Sequence, residues 1–228
     1  MIKNVFIDLD DTLFDFHKAE AIALSEMLSQ FGVSITHKLS ERYSVINKSQ
    51  WELLEKKEKT RDEVLLDRFK IFFSEIGMDI DAKEARKIYE YRLGSGHFFI
   101  DGAEALLEKL FPKYDLYLAS NGTEAVQVRR IASSGIEKYF KGIFISQAIG
   151  FDKPSREYFD ACFSKIKDFS HEETIIIGDS LSSDILGGKN AGIKTCLFNP
   201  KYKENKTDII PDFEIRSLEE IPSLLERI

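Results

Sequence analysis

Two aspartates, Asp8 and Asp10, follow directly on the apolar run Val5-Phe6-Ile7. In an extended chain an i, i+2 pair leaves the backbone on one side, so the two carboxylates repel. A divalent cation, a shared proton or a positive substrate would relieve them. Ser120-Asn121-Gly122-Thr123 sets a hydroxyl and free backbone N–H groups ahead of a helical pattern, a ready site for an anion. Lys153-Pro154 offers a point positive charge to a phosphate, with a proline suited to start a helix. Gly178-Asp179-Ser180-Leu181-Ser182-Ser183-Asp184 adds two more carboxylates. Each has an ordinary structural reading when taken alone. Asp179 and Asp184 suit helix caps or turns, Ser120-Asn121-Gly122 a turn, and Lys153 a surface position. Their joint occurrence, each where a strand should end, points to chemistry.

The elements that must position these groups are short β-branched and aromatic runs. After the opening strand come Leu116–Ala119, Ile143–Ile145, Thr174–Ile177 and Thr195–Phe198, with Phe213-Glu214-Ile215 as a short last strand before a helix starting near Ser217. Amphipathic helical patterns separate them, which is the alternation of a parallel sheet with crossover helices. Wholly apolar strands suit a sheet covered on both faces, and such sheets place ligands at the carboxyl ends of their strands. Residues 16–97 differ. Leu24, Met27, Leu28 and Phe31, and later Val64, Leu65, Arg68, Phe69 and Phe72, recur at helical spacing with no convincing strand. Gly32 and Gly77 sit where helices should stop. The expected fold is α/β: a Rossmann-like doubly wound parallel sheet core, residues 1–15 and 98–228, with an inserted all-helical cap domain, residues 16–97. Phe14-Asp15 and Gly94-Ser95-Gly96 are the expected hinges. The charged run Trp51–Lys59 is expected to form a solvated helix face with i, i+4 Glu–Lys pairs.

With 228 residues and a net charge of −7, the chain can bury a substantial core and has no general attraction for nucleic acid or an anionic membrane. Cys162 and Cys196 lack metal-ligand spacing and read as buried thiols. Asp8 interrupts the first apolar stretch, which disfavours a secretory segment. No run approaches the ~18 apolar residues of a membrane span, so a cytoplasmic protein is expected.

In this order and placement the motifs Asp8-x-Asp10-x-Thr12, Ser120, Lys153-Pro154 and Gly178-Asp179…Asp184 resemble the haloacid dehalogenase-like superfamily, over essentially the whole chain. Asp11 departs from the glycine common there after the second aspartate. Asp-Asp-Thr-Leu-Phe-Asp together with Lys153-Pro154-Ser155 looks most like the subgroup of nucleotidases acting on nucleoside 5′-monophosphates. The resemblance implies a phosphomonoester hydrolase in which Asp8 attacks phosphorus to form an aspartyl-phosphate. Asp10 would protonate the leaving oxygen and then deprotonate the attacking water. Mg²⁺ suits the hard oxygen donors, with Asp8 and Asp179 ligating through side chains and Asp10 through its carbonyl. Ser120 and the N–H of Asn121 would hold phosphoryl oxygens while Lys153 neutralises developing charge. Asp184 would orient a metal-bound water or Lys153, and Thr12 would steady the first loop.

The cap is expected to close over substrate and to supply leaving-group specificity. Tyr43, Asn47 and Trp51, at i, i+4 and i+8, are candidates to face a base; the alternative is that Tyr43 and Trp51 pack the cap core. The implied partner is a small phosphorylated metabolite, a nucleotide by the subgroup resemblance, with no nucleic-acid polymer and no membrane, for a monomer or homodimer. Alternatives are a sugar-phosphate phosphatase, or a phosphotransferase or mutase resembling β-phosphoglucomutase. A metal-independent haloacid dehalogenase is disfavoured by Asp10, since expelling halide needs no acid.

Overall fold

A computed structural model describes residues 1–228. The chain divides into two compact units, Met1–Asp15 with Phe98–Ile228, and Phe16–His97.

The first unit is built on six parallel strands: β1 (Asn4–Ile7), β2 (Asp115–Ser120), β3 (Gly142–Ile145), β4 (Thr174–Gly178), β5 (Lys194–Phe198) and β6 (Phe213–Ile215), in the order β3-β2-β1-β4-β5-β6. All five pairings are parallel. Strand alternation sends neighbouring side chains to opposite faces. Val5, Ile7, Leu116, Leu118, Ile175 and Ile177 enter one core, whereas Phe6, Tyr117, Ala119 and Ile176 enter the other. Burial on both faces is why these strands read as unbroken apolar runs rather than as alternating ones. The order reverses about β1: the chain builds outward through β2 and β3, then returns to the other side of β1 with β4. That reversal opens a crevice at the carboxyl ends of β1, β2 and β4.

The second unit holds four helices, α1 (Phe16–Gln30), α2 (His37–Glu55), α3 (Arg61–Glu75) and α4 (Ala82–Leu93). Thr60 caps α3 through a reciprocal bond pair with Glu63, satisfying two backbone donors. Gly32 and Gly77 follow α1 and α3 with φ of +72° and +67°, the left-handed geometry that ends helices. An aromatic cluster of Tyr43, Phe69, Phe72 and Tyr89 forms the interior. The charged run departs from expectation, since α2 ends at Glu55 and Lys57 has φ +59°. Leu54 is buried there, and Lys59 turns back to Gln50 and Asp67. Anchoring one apolar side chain and one lysine ends the helix before the run does.

The remaining helices flank the sheet: α5 (Ala103–Leu110), α6 (Glu124–Ser134), α7 (Ser146–Ile149), α8 (Arg156–Phe163), α9 (Leu186–Ala191) and α10 (Ile221–Leu225). A π-helical turn, Leu181–Ile185, precedes α9. Such turns are rare and occur often at functional sites. No helix is long and apolar enough to cross a membrane.

Candidate active site

Each site segment leaves the carboxyl end of a strand or the loop beyond it. Asp8 follows β1 and its N–H still bonds to Ile177 of β4 at 2.9 Å, so its carboxylate is fixed by the sheet. The chain then folds sharply. The N–H groups of Leu13 and Phe14 both bond to the carbonyl of Leu9, and that of Asp11 to Phe14. Asp11 takes φ +59°, a conformation that glycine adopts freely and that aspartate tolerates better than most residues. The departure from glycine thus has a backbone explanation. Thr12 is wholly buried and its hydroxyl has no hydrogen-bond partner, so it steadies the turn by packing alone.

Lys153 lies at the centre of the buried charges, 1% exposed. Its three donors reach Asp8 Oδ1 at 2.7 Å, Asp184 Oδ1 at 2.7 Å and the carbonyl of Ala119 at 2.8 Å. An ammonium has three N–H bonds, so all are taken. The sequence expectation has Lys153 offering its charge to a phosphate; in this structure its three donors go to Asp8, Asp184 and Ala119. The Asn121 side chain fixes the lysine's backbone at both ends, donating to the Lys153 carbonyl at 2.8 Å and accepting from its N–H at 2.9 Å. Asp184 accepts from the N–H of Ser180 at 3.1 Å through its other oxygen. Its carboxylate lies against Gly178, where any Cβ would overlap it.

Carboxylate oxygens of Asp8, Asp179 and Asp184 lie within 4.8 Å of one another. Burial, aided by Asp184 and opposed by Lys153, pushes the Asp8 carboxyl up to about 8. Asp179 is also raised, by burial first and then by the charges of Asp8, Asp184 and Asp11. Burial opposes the charge on Lys153, yet Asp184 and Asp8 outweigh it and hold the ammonium above its ordinary range. Clustered hard oxygens carrying more negative charge than one lysine can balance are what a divalent cation such as Mg²⁺ requires. The donor set therefore fits that ion.

Asp10 does not join this cluster through its side chain. It forms an ion pair with the wholly buried Arg130 of α6, and Gln127, one turn earlier, donates to its other oxygen at 2.6 Å. The repulsion expected between Asp8 and Asp10 is thus divided between two resident cations, Lys153 and Arg130, a solution that their spacing alone did not reveal. Gln127 and Arg130 are absent from the sequence reading. The available signal was weak: a polar pair at i, i+3, two turns beyond Ser120. Ser120 itself is buried at the end of β2 and accepts from Gln127 at 2.8 Å and from the N–H of Gly122 at 3.1 Å.

The second unit's candidates lie as follows. Tyr43 is wholly buried, its ring against Phe69, Phe72 and Tyr89. Asn47 is buried, donating to Glu20 at 2.7 Å and accepting from Trp51 Nε1 at 3.1 Å and Arg68 at 3.0 Å. Trp51 is half-buried beneath the guanidinium of Arg61. Tyr43 and Asn47 therefore belong to the interior of the helical unit.

A parallel sheet with clustered carboxylates after β1 and β4, a hydroxyl after β2 and a lysine after β3 is the arrangement of a hydrolase of the haloacid dehalogenase class. Residues 5–198 match the haloacid dehalogenase-like hydrolase family, and the chain belongs to it. It is 41% identical over 223 residues to the HAD-hydrolase YfnB of Bacillus subtilis (strain 168), covering 98% of this chain and 95% of the relative. The crystal structure of YfnB bound to magnesium superposes with a TM-score of 0.94 over 98% of each chain. Pyrimidine 5′-nucleotidase PynA of Streptococcus pneumoniae is 37% identical over 226 residues, covering 99% of this chain and 95% of the relative. Pyrimidine 5′-nucleotidase YjjG of Escherichia coli is 27% identical over 221 residues, covering 97% and 96%.

Proposed function

We propose that this protein is a Mg²⁺-dependent phosphomonoester hydrolase acting through an aspartyl-phosphate on Asp8, with nucleoside 5′-monophosphates as substrates. One observation carries the chemistry: Asp8 is fixed by the sheet and Lys153, and a second carboxylate, Asp10, is held separately on the Gln127–Arg130 pair. That sets Asp8 and Asp10 on separate cations, and Asp10, an ion-pair partner in this structure, takes up a proton before it acts as the acid. The nucleotide class is supported by PynA and YjjG.

Asp8 attacks phosphorus, and as the P–O ester bond breaks Asp10 gives its proton to the departing alkoxide. Asp10 then takes a proton from water, whose oxygen attacks the same phosphorus, releasing phosphate and regenerating Asp8. Ser120 donates to a phosphoryl oxygen and Lys153 offsets charge that develops near Asp8. Bound among Asp8, Asp179 and the Asp10 carbonyl, with Asp184 supporting, Mg²⁺ would supply Lewis-acid neutralisation of the phosphoryl charge. The partner is a small phosphorylated metabolite rather than a polymer.

The test is a phosphate-release screen with Mg²⁺ across nucleoside monophosphates, sugar phosphates and small phosphomonoesters. Fastest release from pyrimidine nucleoside 5′-monophosphates is expected. Turnover confined to sugar phosphates would overturn the nucleotide assignment, and no release from any ester would overturn the phosphatase.

A further inference from the structure

The hydrogen bonds around Ser120 form a closed account. A serine hydroxyl has one proton to donate and two lone pairs with which to accept. Ser120 Oγ accepts from Gln127 Nε2 at 2.8 Å and from the Gly122 N–H at 3.1 Å, so its proton is the group left for a ligand. The second hydrogen on Gln127 Nε2 goes to Asp10 Oδ2 at 2.6 Å. The orientation of that amide is set from its other end, where Gln127 Oε1 accepts from Arg130 Nη1 at 3.0 Å. The same guanidinium pairs with Asp10 and lies 5.3 Å above the ring of Phe14. Gln127 passes so close beneath Gly122 that a Cβ there would stand 2.6 Å from its Cγ and Cδ. One buried amide therefore touches both the phosphoryl-anchoring hydroxyl and the second carboxylate, and one buried guanidinium locks that amide.

We propose that Gln127 and Arg130 are positioning residues that tie the orientation of the Asp10 carboxyl to that of the Ser120 hydroxyl. A phosphoryl group seated on Ser120 then meets its proton carrier already aligned toward the bridging ester oxygen. This assignment rests on the phosphatase reading. Neither residue touches substrate: Gln127 directs Ser120 to donate and holds Asp10, while Arg130 fixes Gln127 and balances the Asp10 charge.

The test compares two leaving groups. The alkoxide of a nucleoside 5′-monophosphate needs a proton as it departs, whereas p-nitrophenolate leaves without one. In each variant kcat/KM is measured for p-nitrophenyl phosphate and for uridine 5′-monophosphate, or for whichever alkyl phosphate the wild-type protein hydrolyses fastest. The ratio of the two cancels any loss of active protein, and it reports the chemical step through Asp10 alone. General acid catalysis contributes about 10²–10⁴-fold, and a displacement of ~1 Å can remove about 10²-fold. Gln127→Met is therefore expected to lower the alkyl-to-aryl ratio by about 10- to 100-fold. Arg130→Lys, which keeps the charge but not the fork of donors, should shift it in the same direction by less, and it carries the test where Gln127→Met fails to fold. An unchanged ratio, with both esters falling together or neither falling, would overturn the proposal. A wild-type protein inactive on both esters would overturn the phosphatase reading instead, so the two failures are distinct.

Discussion

Replacing Gly178 with alanine tests the packing on which the Lys153 cluster depends. Gly178 ends β4 and its φ is not in the left-handed region, so alanine brings no backbone strain there. The added methyl carbon would stand 2.8 Å from Asp184 Cβ and overlap the carboxylate itself. Ordinary carbon–carbon contact is ~3.5–4.0 Å. Asp184 is 1% exposed and bound at both oxygens, to Lys153 at 2.7 Å and to the N–H of Ser180 at 3.1 Å. It has two ways to respond. Keeping its bonds forces the backbone around Gly178 to shift instead, at about 1–3 kcal/mol of overpacking. Moving away gives up a charge-assisted bond of about 1.5–3 kcal/mol and a weaker one of about 1 kcal/mol. The cheaper response sets the outcome, so Gly178→Ala should cost about 1–3 kcal/mol. For a chain of this size that lowers Tm by about 2–12 °C.

In an Asp184→Gly background, which removes the Asp184 Cβ as well as its carboxylate, the space is open and the same methyl should cost less than about 0.5 kcal/mol, giving a coupling of about 2 kcal/mol between the positions. The assay is urea unfolding of the four proteins in chelator, which keeps metal binding out of the cycle. A coupling below about 0.5 kcal/mol would refute the claim that Gly178 exists to seat Asp184.

Asp8→Asn should reduce phosphate release more than about 10³-fold. Its Tm should be unchanged or higher, because one of three mutually repelling carboxylates becomes neutral; retained turnover would remove Asp8 as nucleophile. EDTA should abolish activity and Mg²⁺ restore it, and Mg²⁺ at 100 times its Kd should stabilise the fold by about 2.7 kcal/mol in a thermal melt. Burial raises the Asp212 carboxyl, but bonds from Lys189 and Thr195 outweigh it and leave it below its ordinary 3.8. A depressed carboxyl stabilises above the unfolded value and loses that contribution as pH falls through the folded one. Asp212→Asn should therefore cost less than about 1 kcal/mol at neutral pH, since the exposed carboxylate is screened by solvent, and urea melts of the two proteins should converge as pH falls below the ordinary carboxylate value. Tyr43→Ala, emptying the aromatic interior of the helical unit, should cost about 3–5 kcal/mol. Relative rates among substrates should stay constant, and a changed substrate ranking would return Tyr43 to the site.

The inner strands β1, β2, β4 and β5 are legible in the sequence because burial on both faces leaves no polar alternation to obscure them. Val5-Phe6-Ile7 and Thr174–Ile177 read directly as β1 and β4. The strand-end carboxylates and Lys153 stand out because acidic and basic residues at the edge of an apolar run have few structural reasons to be there. What they touch is not legible. Gln127 and Arg130 resemble the solvent face of any helix until Asp10, 117 and 120 residues away, is brought against them. The three ligands of the Lys153 ammonium come from three different strand ends. Tyr43, Asn47 and Trp51 do share a helix, yet periodicity does not say which neighbour a face meets. Glu20 and Arg68 claim Asn47, and the aromatic interior claims Tyr43.

The charge inventory at the strand ends explains why a divalent cation and a phosphate ester should bind together. Asp8, Asp10, Asp179 and Asp184 bring four carboxylates, and Lys153 and Arg130 bring two cations. Fully ionised, the set is short of neutrality by two charges. Asp11 and Lys203 act on Asp179 with opposite signs and do not alter the balance to first order. Protons can make up part of the deficit, which is the meaning of the raised Asp8 and Asp179. Under the proposed mechanism an Asp8 that holds a proton is idle, however, and a phosphate dianion approaching the deprotonated set would be repelled. One divalent cation held by Asp8 and Asp179 would remove both obstacles at once, displacing the protons and cancelling the deficit. Arg130 contributes by keeping Asp10 out of that competition. Were Asp10 to share the charge of Lys153 with Asp8, the ion would have to balance a fourth clustered carboxylate.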